Sequence, residues 1–161
     1  DEVYIIPGYY HYGDKYNKFG SIGGSLGYTK QLGSQLGITI EGGYYHHSEE
    51  NNDTKKTSGL MHFIGGVNYR FTDPAKNEKG ISVSAHGLLG ISRFSQKTTY
   101  ANETFKDDAT SFHFNIGAAA DLRLTRNLSL RLIQADYVPT FFYQATQHNF
   151  RVSTGLVLKL R

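Results

Sequence analysis

The chain has 161 residues, no cysteine and a formal net charge of +3. The missing thiols exclude disulfides and thiolate chemistry, and the charge includes no lysine–arginine cluster interleaved with aromatics, so no nucleic-acid partner is indicated. The mean hydropathy is −0.44, and no run of about 18 apolar residues exists, so a transmembrane helix is excluded as well.

What the sequence carries instead is alternation with period two, the signature of extended strand, because successive side chains leave a pleated strand on opposite sides. It predicts eight strands. The first, 2–12, starts almost at Asp1, which reads as a mature chain after removal of an export signal. The second, 19–29, sets Ser21, Gly23, Ser25 and Gly27 against Ile22, Leu26 and Tyr28. A tight turn over 30–35, with Gly33, leads to the third strand, 36–46, which carries Glu41. The polar segment 47–59 follows, and then the fourth strand, 60–71, with Met61, Phe63, Val67, Tyr69 and Phe71 on one face and Arg70 on the other.

A turn over 72–80, marked by Asp73-Pro74 and Gly80, leads to the fifth strand, 81–93. Segment 94–109 is long and polar. The sixth strand, 110–123, opposes Phe112, Phe114 and Ile116 to His113, Asn115 and Asp121; the turn 124–127 joins it to the seventh, 128–137, which carries Arg131. Segment 138–149 contains Pro139, Phe141, Phe142 and Tyr143 and is apolar for an exposed loop. The eighth strand, 150–160, sets Phe150, Val152, Leu156 and Leu158 against Arg151, Ser153 and Val157.

Strands of about ten residues have the length that crosses a bilayer at a tilt, and short turns alternate with longer loops, the short first hairpin loop 13–18 excepted, as at the two rims of a transmembrane barrel. A soluble barrel also alternates, with its apolar face inward. Here the polar face is built of Ser, Gly and His rather than Lys and Glu, which suits a crowded interior better than a water-facing surface. The expectation is an all-β fold: an eight-stranded antiparallel up-and-down transmembrane barrel occupying 1–161 as one domain, its apolar face toward lipid. Tyrosine, at 12 residues, fits the interfacial girdle of such a barrel.

Mid-strand charges are rare and fall on the polar face: Glu41, Arg70, Asp121 and Arg131. An unpaired buried charge costs several kcal/mol, so these four are expected to pair in an ionic network that fills the lumen. His62, His86 and His113 share that face and are read as polar lumen filling; no metal or cofactor is expected. The expected contact surface is in the loops, where Glu49, Glu50, Lys55, Lys56, Tyr100, Phe105, Phe141, Phe142 and Tyr143 combine charge with aromatic area.

The size, meander and loop asymmetry resemble the small eight-stranded bacterial outer-membrane barrel proteins of the OmpA-transmembrane-domain and OmpX type. More specifically, Leu130-Arg131-Leu132-Ile133-Gln134-Ala135-Asp136-Tyr137 followed by Phe150-Arg151-Val152-Ser153-Thr154-Gly155-Leu156-Val157 is similar to the last hairpin of proteins with an outer-membrane β-barrel domain. The resemblance implies a bacterial outer-membrane location in the lipid bilayer, and the mixed charge and aromatic area of the loops suit lipopolysaccharide headgroups or a protein partner as contacts. The role expected is a scaffold, anchor or surface-binding module; a small-solute pore is the alternative. Some barrels of this kind modify lipid A, a chemistry needing a serine activated by histidine and carboxylate. The apolar face carries no His-x-Ser pair, and His47-Ser48 are adjacent, so catalysis is not expected.

Overall fold

A computed structural model describes residues 1–13, 18–51, 54–72, 80–100, 103–142 and 145–160. It consists of β1 (Glu2–Gly13), β2 (Lys18–Gln31), β3 (Leu36–Asn51), β4 (Thr54–Arg70), β5 (Ile81–Tyr100), β6 (Glu103–Arg123), β7 (Leu128–Phe142) and β8 (Ala145–Lys159). Every strand pairs antiparallel with its neighbours in chain order, and β8 returns to β1 from Glu2↔Lys159 to His11↔Phe150, closing the barrel. Closure leaves no unpaired strand edge, which is what lets a sheet cross hydrocarbon.

Alternation sorts the faces as read. Ser21, Ser25, Ser82, Ser84, His113 and Asn115 are buried inside, whereas Ile22, Leu26, Phe63, Ile91 and Ile116 are exposed on the outer wall. Outward aromatics gather at two levels. Tyr9, Tyr44 and Phe112 lie toward one end, and Tyr69 packs edge-on against Phe71 at 5.1 Å toward the other. Such belts mark the two interfaces of a membrane.

The short-turn end is held by local bonds. Leu32 and Leu124 donate backbone N–H to Leu36 and Leu128 at 2.9 and 3.0 Å, and Thr125 Oγ1 accepts from the N–H of Leu128 at 3.0 Å. Gly80 enters β5 with φ of 65°, a left-handed conformation that suits glycine, and its carbonyl accepts from Arg123 N–H at 2.8 Å.

At the opposite end the structure corrects the sequence reading. Segments 47–51, 54–59, 94–100, 103–109, 138–142 and 145–149 are not loops but continuations of the strands. β3 and β4 pair to Asn51↔Thr54, β5 and β6 to Tyr100↔Glu103, and β7 and β8 to Phe142↔Ala145. Beyond the lipid both faces of a hairpin meet water, so the apolar alternation stops while backbone pairing, supported by β-branched Thr54, Thr57, Thr98, Thr99 and Thr104, goes on. Val138, placed by the sequence in a loop, is fully buried inside the barrel.

Candidate functional site in the barrel lumen

Strand parity sends a charged set of side chains inward. One departure from strict alternation shapes it: β7 carries a bulge, its register shifting against β6 between Ala120 and Asp121 and against β8 between Arg131 and Gln134. Leu132 and Ile133 therefore both face outward, at 45% and 49% exposure, while Arg131 and Gln134 both face inward. Arg131 uses this placement fully. Its Nε and Nη2 donate to the two oxygens of Asp121 at 2.8 and 3.1 Å, and Nη1 donates to Gln134 Oε1 at 2.6 Å. Its guanidinium also lies 4.7 Å from the centre of the Tyr4 ring.

A second arginine, Arg151, joins two carboxylates. Its Nε donates to Asp136 Oδ2 at 2.7 Å, and its Nη1 donates to Glu41 Oε1 and, at 3.1 Å, to Ser25 Oγ. Glu41 also accepts from Tyr4 Oη at 2.7 Å and lies 3.2 Å from His62 Nε2. Asp136 lies 2.6 Å from His86 Nε2 and accepts from Gln134 Nε2 at 3.0 Å. Gly117 makes this possible, since a Cβ there would come within 2.7 Å of His86 Nε2. One continuous chain of polar contacts thus runs Asp121–Arg131–Gln134–Asp136–Arg151–Glu41–His62, contributed by β3, β4, β6, β7 and β8. Glu41 and Arg151 are each 1% exposed. At that burial, charges persist only when their partners replace water.

Apolar layers bound the ionic one. Tyr4, Ile6 and Val157 cluster on one side, and Tyr10, Tyr45, Leu60 and Val138, with Phe94 against them, form a cluster toward the long-hairpin end. His62 stacks between Tyr45 at 6.0 Å and His113 at 5.1 Å. At the short-turn end Arg70 Nη2 donates to Glu2 Oε2 at 2.6 Å. Among the described residues no group of three or more His, Asp or Glu has metal-holding geometry.

Of the four charges singled out in the sequence, Asp121 and Arg131 meet directly. Glu41 and Arg70 do not meet each other; their partners are Arg151 and Glu2. Arg151, Asp136, Gln134 and Glu2 were missed. The signal lay in register: Asp136 and Arg151 are directly opposed on β7 and β8, but strands ended at Tyr137 and begun at Phe150 left both at a rim.

The contact residues expected in loops lie on the extended hairpins. Glu50 and Lys55 are opposed and 3.5 Å apart, and Glu49 opposes Lys56. Tyr100 and Phe105 are exposed at 59% and 63%. Phe141 and Phe142 belong to β7, but their side chains, like all of Tyr143, lie outside the described residues. Nearer the membrane, the Ser95 hydroxyl and the Arg93 guanidinium hold the Asp108 carboxyl below its usual pKa.

A closed barrel of eight antiparallel strands with an apolar outer belt and a polar, side-chain-filled interior is a transmembrane β-barrel. The family model for the outer membrane protein beta-barrel domain matches residues 4–156, and the chain belongs to that family. Membership implies a location in the bacterial outer membrane. Among solved structures, the chain is similar to Ail, the attachment invasion locus protein of Yersinia pestis. The TM-score is 0.69 at 20% identity over 98% of each chain. It is also similar to Neisserial surface protein A, at a TM-score of 0.72 and 11% identity over 99% of this chain and 96% of that one. The N-terminal β-barrel domain of Pseudomonas aeruginosa OprF follows at 0.59 and 16% identity, over 98% and 97%. At these identities the likeness is one of fold. Ail has also been solved in complex with the heparin analogue sucrose octasulfate. Comparison with curated proteins gives no significant sequence match.

Proposed function

We propose that this protein is a sealed outer-membrane barrel that anchors and displays a binding surface on its extended hairpins, without catalysis. The observation that carries this reading is the position of Arg151, 1% exposed and bridging Glu41 and Asp136 across the lumen. An arginine tied to carboxylates on β3 and β7 occupies the cross-section a solute would need, and the Tyr10–Tyr45–Leu60–Val138 cluster lies across the hairpin side. The non-catalytic reading is supported by placement. His62, His86 and His113 are buried in the lumen, whereas acyl chemistry on a membrane lipid needs its nucleophile and base on the outer wall.

The binding role rests on the hairpins of β3–β4 and β5–β6, which extend past the apolar belt with charge and exposed aromatic area. The complex of Ail with an anionic saccharide analogue is in keeping with a sulfated or phosphorylated saccharide as the ligand class. Reconstitution in planar bilayers, with mass spectrometry of lipid A incubated with the barrel, tests the reading. No steady conductance and unaltered lipid A masses are expected. A steady conductance overturns the sealed lumen, and a deacylated or acylated lipid A overturns the non-catalytic role.

A further inference from the structure

A furrow of about 880 Å³ runs along the outer wall over β1–β6, within the roughly 300–1,000 Å³ typical of small-molecule sites. Its floor is bare because two outward positions on adjacent strands, Gly24 and Gly42, carry no side chain. Leu26, Tyr44, Phe63 and Ile91, all exposed, form its walls. These are outward positions by strand parity, so the furrow opens to the hydrocarbon and not to the lumen. Arg93 closes it at the hairpin end.

Above that point the same outward face of β3–β6 turns basic. Lys97 and Lys106 stand directly opposite each other, an arrangement that is unfavourable in a strand pair unless an anion lies between them. Against Lys55, Arg93, Lys97 and Lys106 this face sets two carboxylates, Glu50 at 3.5 Å from Lys55 and Asp108 at 3.1 Å from Arg93 and also within the field of Lys106, so positive charge is in excess around the lysine pair. Lys97 is four residues beyond Arg93, which places it roughly 13 Å further from the membrane at about 3.3 Å per residue.

We propose that this face binds one lipopolysaccharide molecule, an acyl chain seated in the Gly24–Gly42 furrow and a phosphate of its saccharide held between Lys97 and Lys106. A phospholipid reaches only Arg93 with its single phosphate; an acylated saccharide bearing phosphates away from its chains spans both features. The inference rests on the outward orientation of the hairpins in the reading above and supplies its ligand class with a site. Gly42 is open to a test by filling, since a Cβ there would meet nothing closer than 3.8 Å.

The test is native mass spectrometry of the folded barrel released from micelles containing phosphorylated lipopolysaccharide, phosphatidylglycerol or phosphatidylcholine at equal mole fraction. Wild type should retain lipopolysaccharide well above either phospholipid. Gly42→Leu should lower that retention roughly tenfold, the equivalent of about two lost methylene contacts. Lys97→Glu with Lys106→Glu should lower it while leaving the weak phospholipid signal unchanged. Phe63→Ala, which removes a wall and leaves the floor alone, gives the same reading should the leucine impair folding. Equal retention of phosphatidylglycerol by wild type, or undiminished lipopolysaccharide on the folded furrow or lysine variants, overturns the proposal. A barrel that retains no lipopolysaccharide yet adds no conductance sinks this site and leaves the sealed lumen standing.

Discussion

Asp136 and Arg151 face each other across the β7–β8 hairpin, Arg151 Nε donating to Asp136 Oδ2 at 2.7 Å, while the same guanidinium reaches across the lumen to Glu41. One cation therefore compensates two buried carboxylates on different strands. Removing it leaves both carboxylates in a low-dielectric interior. Arg151→Met should cost roughly 3–5 kcal/mol of stability in lipid vesicles. Urea titration followed by circular dichroism is the measurement, the chain having no tryptophan. A loss below about 1 kcal/mol would mean that water already solvates these groups.

Arg131 makes a different demand, because it holds Asp121 with a two-pronged fork and Gln134 with its remaining arm. Arg131→Ala should cost roughly 3–5 kcal/mol. Arg131→Lys keeps the charge but not the fork or the Tyr4 contact, and should still cost about 1–3 kcal/mol. A double-mutant cycle on Asp121 and Arg131 checks the pair, and zero coupling would show that the contact contributes nothing.

The outer belt is tested by charge. Ile116 is 52% exposed on the outer wall, so Ile116→Arg should cost roughly 2–4 kcal/mol in lipid. Phe105→Arg, on the hairpin beyond the belt, should change stability by no more than about 0.5 kcal/mol. Equal costs at the two positions would remove the case for a lipid-facing wall at Ile116.

Topology is open to labelling because the native chain has no cysteine. Cysteines introduced at Lys55 and Lys106 should react with an impermeant maleimide on intact cells, and one at Ser34, in the β2–β3 turn, should not. The reverse pattern would invert the orientation and with it the binding surface.

The fold was legible in the sequence because a membrane imposes two environments on a strand, and Ile81–Arg93 or Phe150–Leu160 record them residue by residue. Legibility ended where that contrast ends. Beyond Phe94, the last residue of β5 packed on the inner cluster, the apolar alternation stops, so Ser95, Lys97 and Thr99 gave no sign of the strand they form. The site was half legible for a related reason. Asp121 and Arg131 sit beside the 124–127 turn, where the strand ends at Arg123 and Leu128 were read correctly, whereas Asp136 and Arg151 lie toward the other end, where β7 and β8 were read short. Leu132-Ile133 breaks the alternation with two apolar neighbours, but only the pairing partners reveal a bulge there and show that it turns Gln134 inward.

The sequence distances inside the lumen carry a kinetic consequence. Glu41 and Arg151 are 110 residues apart, and Ser25 and Arg151 are 126 apart. No single hairpin can satisfy Arg151. Its partners come from β2, β3 and β7, and the first two are brought near only when β8 docks on β1. Until then the guanidinium and Glu41 must remain hydrated, which opposes burying a half-formed sheet. Contacts of such separation are slow to form, so assembly of this barrel is expected to be slow and all-or-none, with docking of β8 on β1 as the step that dehydrates its charges.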